Sequence, residues 1–162
     1  MEFPDLQEFP HSHLPSPYGK PLLVVKVGDG MLSEGIKLRA VGWLEREGFP
    51  TGIVPKQCID HLVSALSGGI FSDGYRGCHT CTLCGQSLPK VKWKRRKFQL
   101  KGHGHYLVQR DDVVYMAPSL LLHYILGHKY SPPDEFLESI QYGRFLTEDD
   151  LVVKWRDPGE FG

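Results

Sequence analysis

Hydrophobic and polar residues along this chain follow two periods, and the switches between them mark out its elements. Leu22 to Val27 reads as a buried strand closed by the turn signal Gly28-Asp29-Gly30. Ile36 to Leu44 fits either a strand or a short helix. Pro55 suits a first helical position, and Ile59, Leu62, Val63 and Leu66 follow at helical spacing until Gly68-Gly69 ends the run. Val91 to Leu100 has strand-forming ends, but Val91 and Trp93 fall out of phase with Phe98 and Leu100 under strict alternation, which predicts a bulge near Arg95-Arg96. His105–Gln109 and Val113–Met116 flank the polar Arg110-Asp111-Asp112 and predict a hairpin.

Pro118 opens a second helix, Ser119 to about Leu126, apolar on nearly every side and therefore buried. Gly127 is its natural stop, so His128 is expected just past the helix end. Ser131 then serves as N-cap of a third helix, with Pro132 at its first position, Asp134 and Glu135 in its first turn, and Phe136 and Ile140 inward. Leu151 to Trp155 returns to strand. The fold class expected is α+β: a small antiparallel sheet with about three helices.

Residues 1–21 carry Pro4, Pro10, Pro15, Pro17 and Pro21 around His11 and His13, which predicts an extended arm, ordered only where something holds it down. Residues 22–162 are then read as a single domain, long enough to bury a core without disulfides. Hydrophobic residues make up 41% and charged residues 23% of the chain, the usage of a globular protein. Acids and bases balance at 19 each, so no global field marks a polyanion binder and charge has to be judged locally. The start lacks the pattern of a signal peptide, and no run approaches the roughly 18 apolar residues of a membrane span. A cytoplasmic protein without membrane contact is the expectation.

Three of the four cysteines lie within seven residues, in Cys78-His79-Thr80-Cys81-Thr82-Leu83-Cys84-Gly85. Such clustering favours metal binding or redox chemistry over structural bridges. Zinc takes a tetrahedron of soft or borderline donors, and two cysteines two residues apart supply one edge from a tight turn. Cys81 with Cys84 is the preferred pair because Gly85 follows directly and lets the backbone fold over. Cys78 and His79 stand as alternates able to replace an assigned ligand. The second edge is assigned to His123 and His128, whose spacing lies within the H-x3-5-H range. On an ideal helix these imidazoles would be about 140° apart, so the helix must end or tighten between them. The result is a treble-clef-like site for structural Zn2+, with a far longer connection between its halves than a standard finger has.

A thioredoxin-like reading of Cys81 and Cys84 requires a helix starting at the motif, whereas Gly85 to Pro89 is turn-like. His-x-Glu with Pro-Cys-x-x-Cys, His-Glu-x-x-His, a P-loop and Gly-x-Ser-x-Gly are all missing. Four protein ligands leave no open position for water, which favours structure over catalysis. A zinc-dependent hydrolase stays as a minor alternative and would need a three-ligand zinc or a pocket joining His79, His103 and His105. Cys58 reads as a core thiol.

The remaining lead is basic. Lys90, Lys92, Lys94, Arg95, Arg96, Lys97 and Lys101 place seven positive charges within twelve residues, interleaved with Trp93 and Phe98. Lys92, Trp93, Lys94, Arg95, Arg96 and Lys97 are candidate nucleic-acid contacts through phosphate pairing and stacking. The competing reading is a solvated edge strand guarded by its charges, with Glu148-Asp149-Asp150 as a possible facing cluster.

Several of these residues form a longer pattern: His79-x-Cys81-x-x-Cys84-Gly85, Tyr115-x-Ala117-Pro118-x-Leu120, and His123-Tyr124-Ile125-x-x-His128-x-Tyr130-x-Pro132-Pro133-x-Glu135-Phe136. With Gly42-Trp43-Leu44-Glu45 and Phe49-Pro50-Thr51-Gly52-x-Val54-Pro55 upstream, residues 42–137 resemble a widespread family of small uncharacterised bacterial proteins. The resemblance implies the pairing of cysteines with histidines and carries no established activity. The functional expectation is a zinc-stabilised, non-catalytic bacterial interaction or accessory protein with an unidentified protein partner, and a nucleic-acid binder as the alternative.

Overall fold

A computed structural model describes residues 4–9, 13–14, 22–27, 30–31, 37–68, 80–87, 89–100, 105–146 and 151–155. The architecture is α+β. Its largest sheet has five strands in the order β1 (Glu8–Phe9), β5 (Lys37–Ala40), β9 (Val113–Pro118), β8 (His105–Arg110) and β10 (Arg144–Phe145). Neighbours are antiparallel except β5 and β9, which run parallel with Lys37 opposite Val113 and Ala40 opposite Met116. The ambiguous stretch at 36–44 thus contains a strand. A second sheet joins β11 (Leu151–Trp155), β3 (Leu22–Val27) and β2 (His13–Leu14), with β4 (Gly30–Met31) also on β3. β3 and β4 pair antiparallel with Val27 opposite Gly30, and Gly28 and Asp29 of the expected turn lie outside the described residues.

β9 is central in its sheet, which is why its sequence is an apolar run without alternation: Val114 to Pro118 are all buried. The β8–β9 hairpin turns at Asp111-Asp112, with Asp111 in the left-handed region at φ 54°, a conformation aspartate tolerates. α1 (Lys56–Gly68) starts after Pro55, whose carbonyl accepts from the amides of Cys58 and Ile59. Cys58, Ile59 and Leu62 are buried on its inner face, so Cys58 is the core thiol expected, and burial pushes that thiol up.

α3 (Asp134–Tyr142) begins two residues later than Pro132 suggested. Pro133, at φ −55° and ψ 146°, occupies the N-cap, and Ser131 makes no cap. Proline biases the residue before it away from helical ψ, so Pro133 keeps Pro132 out of the helix. Phe136 and Ile140 face inward as expected. Glu135 accepts from Tyr115 Oη at 2.6 Å and pairs with Arg39 at 2.9 Å, tying α3 to β9 and β5. Burial, then the Glu135 carboxylate, pushes the Tyr115 phenol up to about 12.

Residues 90–99 form a hairpin, not a bulged strand. β6 (Lys90–Trp93) pairs with β7 (Arg96–Gln99), Val91 opposite Phe98 and Trp93 opposite Arg96. Lys94 and Arg95 form the whole turn at φ 48° and 67°, the geometry of a type I′ turn. The phase break seen in sequence has this origin: reversing the chain, like a bulge, puts Val91, Trp93, Phe98 and Leu100 on one face. Neither turn residue is glycine or asparagine, so each carries strain of order 1 kcal/mol. The Trp93 indole N–H donates to Asp60 at 2.8 Å and Lys94 pairs with the same carboxylate at 2.9 Å, holding the Asp60 carboxyl below the usual carboxylate range.

The N-terminal residues described are held down. Leu6 donates to the Ala40 carbonyl and Ala40 to the Gln7 carbonyl, extending the β1–β5 pairing. Asp5 Oδ1 accepts from the Gly42 amide at 2.9 Å, and Asp5 Oδ2 accepts from the fully buried Tyr130 hydroxyl at 2.8 Å. Burial, then the Asp5 carboxylate, raises the Tyr130 phenol. Gly42 itself sits at φ +76° with the Leu121 side chain where a Cβ would go.

Asp5→Ala removes both acceptors and leaves the buried Tyr130 hydroxyl without an acceptor for its proton. A loss of about 2 to 3 kcal/mol is expected, read from urea unfolding with an unchanged m-value; a loss below about 0.5 kcal/mol would contradict the latch.

Candidate metal centre

Cys81 to Gln86 folds into a tight knuckle. The Cys81 amide donates to the Gln86 carbonyl at 2.9 Å, the Gly85 amide donates to the Cys81 carbonyl at 2.7 Å, and Gly85 takes φ +75°. That conformation favours glycine, so Gly85 does close the turn. Thr80 and Ser87 bridge the stem, and Thr82 Oγ1 donates to the Glu45 carbonyl at 2.8 Å, fastening the knuckle to the 42–45 segment.

The other half is α2 (Leu121–His128), whose residues Leu121 to Ile125 are all buried. The helix runs through Gly127 and His128, and the left-handed C-cap is Lys129 at φ 57°. The cap amide and the Tyr130 amide both donate to the Tyr124 carbonyl. Gly127 is therefore not the stop. Its role is clearance: a Cβ there would lie 3.3 Å from Cε1 and Nδ1 of His123, one turn back on the same face. With no side chain in the way, the His123 ring swings toward His128, and the two rings meet edge-on with centroids 4.8 Å apart at 88°.

Four donor atoms converge there. Cys81 Sγ lies 3.5 Å from His128 Nε2, Cys84 Sγ lies 3.4 Å from His123 Nε2, and the two Nε2 atoms are 3.2 Å apart. All four lie within 4.8 Å of one another. Zinc–sulfur bonds near 2.3 Å and zinc–nitrogen bonds near 2.05 Å give a tetrahedron with S–N edges of about 3.5 Å and an N–N edge of about 3.3 Å. Three of the six donor separations match those edges, and the other three are at most 4.8 Å. Cys81 and His123 are buried, His128 is half-buried and Cys84 is exposed, so the centre sits at the surface with one sulfur outward.

The electrostatics suit a cation. Burial raises the Cys81 thiol, the amides of Cys84 and Leu83 pull it back, and the neighbouring Cys84 sulfur raises it again. Burial, then the second imidazole, lowers His123, keeping it in the neutral form a metal needs. The Tyr124 phenol, also raised by burial and by the two cysteines, borders the site.

The four residues assigned from spacing are those the fold brings together, positioned to bind a metal ion. Cys78, His79, His103 and the 148–150 acidic cluster lie outside the described residues. His105 is buried in β8 against Trp43, ring centroids 5.3 Å apart. Trp93 and Phe98 turn toward the core rather than outward. Sequence reasoning missed Asp60, Asp5 and the clearance at Gly127. Only the last had a readable signal, its i+4 spacing from His123.

The fold and the centre together define an α+β protein with a candidate Cys2His2 metal site. The chain belongs to the family described as a domain of unknown function (DUF7919), whose model matches residues 1–141. No curated protein and no solved structure matches it. Among the described residues no helix is long and apolar enough to cross a membrane.

Gly127→Ala separates clearance from helix stability. Alanine favours the helix by up to about 1 kcal/mol over glycine, yet its methyl group should displace the His123 ring. Metal affinity is expected to fall at least tenfold in chelator competition while helix content is kept; unchanged affinity would refute the clearance role.

Proposed function

We propose that this protein is a zinc-stabilised, non-catalytic interaction or accessory module in which Cys81, Cys84, His123 and His128 hold one structural Zn2+. The match between three donor separations and the edges of a zinc tetrahedron carries the reading. Thiolate and imidazole donors select zinc over calcium or magnesium, which prefer oxygen. With four protein ligands the ion has no open position, so the centre fits folding rather than hydrolysis. The order of knuckle, two hairpins and helix supports a treble-clef-like reading, although both helix ligands lie toward the C-terminal part of α2. A metal here ties residues 81–84 to residues 123–128, and structural zinc sites in finger-like peptides contribute about 10 to 16 kcal/mol, comparable with the whole stability of a domain.

Purified protein is expected to hold one zinc per chain by mass spectrometry and to lose it in Cys84→Ser and in His123→Ala. Retention of a full equivalent in both variants would sink the proposal. Chelation should lower the melting temperature and expose the amides of 81–128 to hydrogen exchange.

Acidification adds a signed test. Burial keeps the Cys81 thiol protonated in the metal-free protein at neutral pH, so binding must displace its proton. Affinity should then fall by about tenfold per pH unit from this thiol alone as pH drops, and more steeply once the imidazoles protonate. Affinity flat between pH 8 and pH 6 would argue against thiolate ligation.

A further inference from the structure

The β6–β7 hairpin has two unlike faces. Val91 is buried and Trp93 and Phe98 are half-buried on the inner one, which packs toward the body of the protein next to α2. The outer face carries Lys90, Lys92, Lys97 and Gln99, all exposed. Lys92 and Lys97 are direct cross-strand partners, an arrangement that repels. Among the described residues no ion pair is made by Lys90, Lys92, Lys97 or the turn residue Arg95, while Lys94 is engaged by Asp60. Arg96 lies over the Phe98 ring at 5.1 Å. The hairpin thus combines an uncompensated like-charge pair with a strained two-residue basic turn, on a base anchored by Trp93 and Asp60. Protection of a strand edge does not require two lysines opposite each other.

We infer that the outer face of this hairpin docks on double-helical DNA, contacting its phosphate backbone with Lys90, Lys92, Arg95 and Lys97. The chemistry narrows the ligand. The hairpin's aromatic side chains point inward, so the face offers no platform for the stacking that single strands require. Its outer side chains are long cations suited to phosphate oxygens. A two-stranded ribbon fits the major groove of B-form DNA, about 12 Å wide, whereas the deep, narrow major groove of A-form RNA excludes it. Lys90 and Lys92 project from one strand about 7 Å apart and Lys97 from the next strand about 5 Å away, which places several cations along one groove wall. The contacts carry no base code, so binding is sequence-independent. The inference rests on the hairpin and not on the identity of the metal.

Fluorescence anisotropy with a 20-base-pair DNA duplex, the matching single strand, an RNA duplex and polyglutamate tests it on the full chain, with metal content measured in parallel. Duplex DNA is expected to bind most tightly, with log affinity falling against log salt at a slope of about −3 for three to four phosphate contacts. Lys92→Ala/Lys97→Ala should reduce the slope by about 2 and weaken binding at least tenfold, while Lys56→Ala on α1 changes neither. Lys97→Glu turns the repulsive pair into an attractive one, so it should raise the melting temperature and weaken DNA binding together. The inference is overturned by absent or salt-independent binding, by equal or tighter binding of single strand, RNA duplex or polyglutamate, or by Lys97→Glu binding DNA as the parent does.

Discussion

The junction between the cysteine knuckle and α2 depends on two imidazoles of one short helix facing the same point. His123 and His128 are five residues apart in α2, a spacing that would splay them by about 140° on an ideal helix. The fold reconciles the conflict without breaking the helix. Gly127 clears the space beside His123, and the left-handed Lys129 ends the helix one residue after His128. Both Nε2 atoms lie 3.2 Å apart and within reach of the knuckle sulfurs. Two neutral imidazoles and two thiols packed so closely gain little from one another, and the arrangement is one that a bound cation would stabilise.

The surroundings reinforce that point from three sides. Gly85 shapes the knuckle, Thr82 binds it to the Glu45 carbonyl, and the segment that follows Glu45 in sequence crosses to the far end of α2 through the Thr51–Tyr130 bridge. Tyr130 links the C-cap of the metal helix to Asp5 near the start of the chain. The centre, the end of β5 with Gly42, and Asp5 therefore share one mechanical connection.

The hairpin adjoining this centre has the opposite character. Its inner face follows the same rule as the core, burying Val91 and orienting Trp93 through a hydrogen bond. Its outer face accepts repulsion and turn strain that a purely structural ribbon would avoid. A zero net charge conceals this contrast, because the acids that balance the sum are distributed elsewhere.

Local periodicity determined a large share of the result. The apolar run of β3, the helical spacing of α1, the burial of α2 and the β8–β9 hairpin were legible because each is signalled by a periodicity or turn pattern within a few residues. The four candidate ligands were legible too, since Cys-x-x-Cys-Gly and two histidines five apart are chemical signatures of short range. Tertiary structure decided the rest. Whether Gly127 stops a helix or clears a ring depends on where His123 must point. The change of phase between Trp93 and Phe98 is satisfied equally by a bulge or by a two-residue turn, and packing against Asp60 and α2 selects the turn. The parallel pairing of β5 with β9 and the Asp5–Tyr130 latch join residues 76 and 125 positions apart. Sequence spacing carries no measure of such distances, because they are set by how the buried faces of separate elements fit together.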